Sequence, residues 1–348
     1  MNLLKYHCKS ALFGWPLRVM DQMSNATRCH DAPRVLVVRH PAKRSYTYRE
    51  CLRWIRKHVP QLHARMEFLT LPTQPRDWDS IGLLACWTAD TMRHWSPDGY
   101  REACNLTNQC RARGIPVVNP VDSNAAHSKL EMTTIWRQSG IRAPRCELIQ
   151  DVHAFKESMA GMSFPFLIRD EQGHGRPSCW ISSTKDLEHV PWHEMICPMA
   201  SEFIDTRSPK DGLFRKYRCI VAGDEVIPRH IIANADWEVR PERRVNSDEL
   251  HAEEVTFIET HPEHADQLRY ATQLLDLDIA GIDYSIDAAG ELVLWEANPV
   301  PNLNAPPTHR AQHILPAVER SFAAIAKLYL SKLGLIESHS SEVLTWNR

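Results

Sequence analysis

Three polar residues, Asp283, Glu296 and Asn298, stand inside the otherwise apolar runs of GIDYSIDAAGELVLWEANPVPNL (281–303). Two carboxylates and a carboxamide oxygen are hard donors. Brought together, they make a site for a cation such as Mg²⁺ that leaves room for water and phosphate. The elements that would position them can be read in the same stretch. Ile282, Tyr284 and Ile286 alternate with Asp283, Ser285 and Asp287, the period of two expected of a strand with unlike faces, and Glu296 and Asn298 share one face of ELVLWEANP. Gly290 separates the two runs, as a hairpin turn requires. If Asp283 pairs opposite Glu296, Ala289 and Gly290 fall at the tip and the three side chains converge. Taken alone, the hairpin leaves a second reading open, a surface strand pair whose polar face is merely solvated.

Composition narrows the setting of that hairpin. At 348 residues with 43% hydrophobic content, the chain is long enough for two or three domains. A net charge of −2 without any long Lys/Arg block gives no electrostatic footprint for nucleic acid or an anionic membrane surface. Ten cysteines are scattered without a CxxC pair, the pattern of free thiols in a reducing cytoplasm. The apolar ALFGWPL (11–17) is too short for a signal-peptide core and is followed by Arg18 and Asp21. No run approaches the roughly 20 apolar residues that span a bilayer, so the cytoplasm is the expected location. His309 and His313 have i, i+4 spacing, and His261 lies near His264. No Glu follows His309, however, so a zinc site of the HExxH kind is not expected.

The first third alternates strands and helices. RVLVVRH (34–40), MEFLTL (66–71), SIGLLACW (80–87) and IPVVN (115–119) read as strands, and TYRECLRWIRKH (47–58) and GYREACNLTNQCRARG (99–114) read as helices, the second closed by Gly114. That rhythm implies a parallel sheet with helices on its faces. A helix with polar caps follows in PVDSNAAHSKLEMTTIWRQSG. The signals then become strand-rich and mostly antiparallel, at 164–170, 178–183, 199–205, 214–223 and 225–235. A helix around 262–275 precedes the hairpin, a long helix closes the fold over 309–331, and 337–348 reads as a polar tail.

With these residues in view, the chain resembles the ATP-grasp superfamily, whose last motif runs Asp, about a dozen residues, then Glu-x-Asn-Pro, matched here by Asp283 and WEANP. The resemblance covers most of the chain. It implies an α/β and α+β arrangement: an N-terminal parallel α/β domain at 1–122 on the substrate side, a small ATP-grasp subdomain at 123–198, and a C-terminal subdomain carrying the metal hairpin at 199–336. It also implies that Asp283, Glu296 and Asn298 hold two Mg²⁺ ions, with Mn²⁺ able to substitute, that bridge the phosphates of ATP.

Further landmarks occur in the family's order. Lys129 stands where a Lys reaches the nucleotide phosphates. FPFLIRD ends in Arg169 where the family has a second phosphate-binding Lys, and Arg can make the same contact with bidentate geometry. Gly173 and Gly175 of QGHGR fall at a loop that closes over the phosphates. Glu202, Phe203 and Ile204 of ASEFID match the segment that holds adenine. Arg218 and Arg229 of FRKYRCIVAGDEVIPRHI match the catalytic cations over the triphosphate, with Arg215 and Lys216 as further candidates. Read singly, these residues have ordinary alternatives: a solvated helix Lys, a common turn, a buried strand end, an exposed strand face. One position departs from the D-alanyl-D-alanine ligases, which carry Arg where this chain has Gly281.

The resemblance implies an ATP-dependent carboxylate-amine ligase that forms an amide through an acyl phosphate. Its partners would be small-molecule or peptide carboxylates and amines, and a homodimer is one assembly it allows. A phosphotransferase acting on a hydroxyl and a nucleotide-binding protein without catalysis are the other readings of the same motifs.

Overall fold

Four short apolar strands, β1 (Arg34–Arg39), β2 (Met66–Thr70), β3 (Ile81–Cys86) and β4 (Val117–Val118), form a parallel sheet in the order β2-β1-β3-β4. Val35 to Val38 are buried on both faces of the sheet, as parallel strands require. The computed structural model describes residues 3–26, 32–42, 46–72, 77–88, 92–123, 128–171, 178–304 and 309–337. Helices α1 (Leu3–Ala26), α2 (Tyr46–His58), α3 (Pro60–Arg65), α4 (Met92–Trp95) and α5 (Pro97–Ala112) belong to this first part.

The strands that follow pair antiparallel. α6 (Lys129–Gln138), β5 (Cys146–Leu148), α7 (Val152–Ser158), β6 (Phe166–Asp170), β7 (Cys179–Ile181) and β8 (Pro198–Glu202) build a sheet of order β5-β8-β6-β7. β9 (Phe214–Ala222), β10 (Glu225–Asn234), α8 (Asp248–Glu259), α9 (Ala265–Gln273), β11 (Ile279–Ile286), β12 (Leu292–Asn298) and α10 (Leu315–Lys332) complete a third sheet, ordered β10-β9-β11-β12. The expected combination of a parallel α/β part with a two-part antiparallel region is therefore the architecture found.

One continuous core joins the first sheet to the third, with Val35, Val37 and Leu83 on one side, Ile220 and Ile279 on the other, and Ile325 and Tyr329 of α10 within it. Trp87 Nε1 donates to the Tyr329 hydroxyl at 2.8 Å across the same junction. Asn119, just past β4, makes the closest polar link. Its Oδ1 accepts from the amides of Asp278 and Ile279, and its Nδ2 donates to the carbonyls of Ile279 and Pro299, all between 2.7 and 2.9 Å. These groups lie at the start of β11 and just beyond the end of β12, so one buried carboxamide fixes the base of the hairpin against the parallel sheet. Replacing it with Ala would orphan several buried backbone groups at about 1–3 kcal/mol each. Asn119→Ala is accordingly expected to lower the denaturant midpoint clearly, and an unchanged midpoint would show that the link is dispensable.

The closing helix is shorter than expected, because 309–314 form a 3-10 turn and α10 begins at Leu315, where Pro316 fits the first turn without an amide to donate. α8 was not expected at all, although Ser247 caps it by accepting from the Leu250 amide. α1 also escapes the periodicity argument, for a physical reason. It turns polar residues inward, Asp21 to Arg39 and Thr70 and Asn25 to the Phe68 backbone, and leaves Leu12 and Trp15 69% exposed. Residues 338–348 of the expected polar tail lie outside the described residues.

Candidate active site

β11 and β12 pair with Asp283 opposite Glu296 and Gly281 opposite Asn298, the register expected from the position of the turn. The turn closes where the Asp287 amide donates to the Glu291 carbonyl and the Gly290 amide donates to the Asp287 carbonyl, with Gly290 at φ +84° in the region that favours glycine. Ile282, Tyr284, Leu292, Leu294 and Ala297 enter the core. One extra residue interrupts the ladder: Tyr284 faces Leu294, which leaves Trp295 as a bulge. Such an insertion re-aims the side chains around it, and here Trp295 and Glu296 both face one cavity. Trp295 Nε1 donates to Ser285 Oγ at 2.7 Å, and that hydroxyl donates to the Arg215 carbonyl at 2.6 Å.

β9 supplies the opposing charge. Arg218 sits opposite Asp283 and donates through Nε and Nη2 to its two oxygens, while Lys216 Nζ lies 3.3 Å from Oδ2. Burial pushes the Asp283 carboxyl up, but Arg218 and Lys216 outweigh that effect and hold it below the ordinary carboxylate range. Arg215, by contrast, is held by Asp211 and Glu253 and needs no ligand to explain its burial.

The cavity, of about 180 Å³, is lined by Lys129, Arg169, Glu202, Phe203, Ile204, Asp283 and Glu296 among the residues singled out in the sequence. Lys129 opens α6, and its Nζ is 4.0 Å from Glu296 Oε1. Arg169 Nε is buried with no hydrogen-bond partner among the described residues. The Glu202 carboxylate accepts the Arg145 amide at 2.9 Å, which braces the strand end. Beside it, Trp180 packs against Phe203 and Trp237 at 4.6 and 5.4 Å between ring centres, giving this end of the cavity an aromatic wall.

Arg218, Arg229 and Asn298 are not walls of this cavity. Arg229 is itself a bulge on an edge strand: Pro228 pairs with Cys219 and His230 with Arg218, leaving Arg229 over. Pro228 can sit there because it has no amide to give to a ladder. Arg229 is 6% exposed; its Nη2 donates to the Asn304 carbonyl at 2.7 Å, and its Nη1 has no partner among the described residues. Burial, then the like charge of Arg218, brings its guanidinium down to about 10, still cationic at neutral pH. Burial also pushes His230 down to about 3, so this imidazole is neutral.

Asn298 Oδ1 accepts the Val300 amide at 2.8 Å, which leaves its second lone pair available. Gly173 and Gly175 lie outside the described residues. The donor chemistry suits Mg²⁺: Asp283 and Glu296 offer hard oxygens side by side across the ladder, on the wall of one cavity. Gly281 has a local cause, since a Cβ there would meet Pro301 Cβ at 3.0 Å. Sequence reasoning did not single out Trp237, Trp295 or Ser285, and Lys216 was only a further candidate. The signal for Lys216 was its parity with Arg218 on β9; Trp237 lies past β10, where no periodicity marks it.

No protein-family model matches the chain, and no curated protein matches it. Solved structures do. A structure of the ATP-grasp ligase PsnB with a minimal precursor is 14% identical, with a TM-score of 0.52, over 84% of this chain and 100% of the other. A RimK domain protein ATP-grasp from Sphaerobacter thermophilus is 13% identical, with a TM-score of 0.51, over 85% and 99%. The VanG D-Ala:D-Ser ligase from Enterococcus faecalis is 12% identical, with a TM-score of 0.52, over 86% and 100%. At such identities the likeness is one of fold.

Proposed function

The chain has the ATP-grasp fold, and from that premise we propose that it is an ATP-dependent carboxylate-amine ligase. The observation that carries the reading is the convergence on one cavity of three cations, Lys129, Arg169 and Lys216, with the paired carboxylates Asp283 and Glu296, while Glu202 and Glu238 also line it. A cavity of that mixed charge suits a nucleotide triphosphate bound with a metal. A similar structure, of PsnB with a minimal precursor, Mg and ADP, at 17% identity, is consistent with it.

In this reading Lys129 and Arg169 bind the phosphates, and Phe203, Ile204 and Trp237 wall the adenine. The substrate carboxylate oxygen attacks the γ-phosphorus, the bond to the ADP oxygen breaks, and an acyl phosphate forms. The amine nitrogen then attacks the acyl carbon, the C–O bond to phosphate breaks with its electron pair leaving on phosphate, and the amine proton passes to water. Arg218 and Arg229 stabilise the charge that collects on the phosphoryl oxygens, an electrostatic role that needs no protein nucleophile. Asp283 and Glu296, with Asn298 as a third donor, would hold Mg²⁺, or Mn²⁺ in its place, which would supply neutralisation of the phosphate charge.

ADP release across a panel of amino acids, peptides and hydroxy acids, with hydroxylamine present, tests the proposal. Hydroxamate formed with ADP marks an acyl phosphate. ADP without hydroxamate would make the chain a kinase of hydroxyl groups, and ATP binding without substrate-dependent ADP release would leave a nucleotide-binding protein. Affinity gives a separate check. Lys129→Ala and Arg169→Ala each remove one charge-assisted contact, about 1.5–3 kcal/mol, or roughly tenfold to a hundredfold in ATP affinity. Calorimetry with Mg²⁺ showing full affinity in both variants would take these residues out of the site.

A further inference from the structure

Away from the nucleotide cavity, His251, Glu254 and His313 present one ligand atom each, all within 4.8 Å of one another. None of the three lines the cavity described above. We propose that they form a transition-metal site with a preference for Zn²⁺.

The arrangement is built by two elements. His251 and Glu254, three apart on α8, share one helical face. His313 comes from the 3-10 turn before α10, and its ring meets that of His251 edge-on at 4.6 Å between centres. Glu254 is fully buried. Its Oε1 accepts the Ile231 amide at 3.0 Å, and its Oε2 accepts from Arg244 and pairs with His313 Nε2, both at 2.7 Å. Donors of this kind behind a carboxylate are what orients metal ligands in known sites. A hydrogen-bond network explains Glu254, Arg244 and His313, but it leaves His251 out: this imidazole has no hydrogen bond among the described residues, yet its ligand atom lies beside those of the other two.

The donor set selects the ion. Two imidazoles and one carboxylate suit Zn²⁺ and other late first-row ions, whereas Mg²⁺ and Ca²⁺ need mainly oxygen. Arg244 already balances the Glu254 charge, so the ion must be held chiefly by neutral nitrogens, which again disfavours a hard cation. Three protein ligands leave a fourth place for water. The partners found for His313 among the described residues lie on α8.

The test uses the full chain, stripped with a chelator and titrated with Zn²⁺ by calorimetry in excess Mg²⁺, which saturates the hard-cation site. The expected result is one saturable equivalent per chain, weakened by more than about a hundredfold in His251→Ala and in His313→Ala, beyond the roughly tenfold to hundredfold effect of outer-shell changes. Substitution with Co²⁺ should give visible bands without thiolate absorption, setting this site apart from the free cysteines. Glu254→Gln risks misfolding, because it leaves Arg244 without its buried counter-charge; His251 is exposed and keeps the test decisive. No saturable equivalent in the unaltered chain, or the same isotherm in both histidine variants, would overturn the proposal.

Discussion

Glu296→Gln is expected to leave a folded protein whose Mg²⁺-dependent turnover falls about a hundredfold to a thousandfold, the usual cost of removing charge stabilisation where phosphate charge develops. The side chain is 26% exposed and its contact with Lys129 is long, at 4.0 Å, so neutralising it should cost the fold little. Its melting behaviour without nucleotide should therefore match that of the parent. Asp283 differs. Its carboxylate is buried between Arg218 and Lys216, and Asp283→Asn would strand those cations at a cost of order 3–5 kcal/mol. This variant should lose both activity and stability. The contrast is the informative part: near-normal ADP formation by folded Glu296→Gln would remove the metal role from WEANP and return the hairpin to a structural part.

Arg229→Met should act in opposite directions on stability and turnover. A buried guanidinium with Nη1 unpartnered among the described residues and a like charge nearby is a cost to the folded state. An apolar side chain of similar length removes that cost, so the melting temperature should hold or rise. Turnover should fall by about two to three orders of magnitude if Arg229 stabilises phosphoryl charge. Thermal melts and ADP assays on one preparation read both effects. A clear drop in stability with unchanged turnover would mean that Arg229 is a strut for the Asn304 loop and nothing more.

Why some of this could be read from the chain and some could not comes down to which residues share a local pattern. The hairpin register followed from period-two alternation and a single Gly between the runs, because a slip of one residue would turn Asp283 away from Arg218 and Lys216 and into the apolar core. The parallel sheet was equally plain from continuous runs such as RVLVVRH. α8 was missed because DELHAEEVTFIE carries little apolar contrast between its faces, and α1 because its polar residues face inward. At the site, Lys129, Arg169 and Asp283 could be named from motif order. The cavity role of Trp237 could not, since it depends on contacts with Trp180 from a distant strand. Glu254 and its histidine neighbours were invisible for the same reason, as α8 and the turn at His313 meet only in the folded chain.

The two bulges also determine where the chain can change length. Trp295 and Arg229 are the residues left over when their strands pair, so neither holds a place in the count of its ladder. Deleting Trp295 leaves Asp283 opposite Glu296, and deleting Arg229 leaves His230 opposite Arg218. Each deletion behaves as the loss of one side chain and straightens the strand. Deleting Leu294 instead puts the Trp295 indole opposite Tyr284, on the core face that Leu294 fills. A one-residue gap is therefore mild or disruptive depending on which of two adjacent positions it removes, and a deletion series through β12 should show a single tolerated position, at 295, between two that fail to fold.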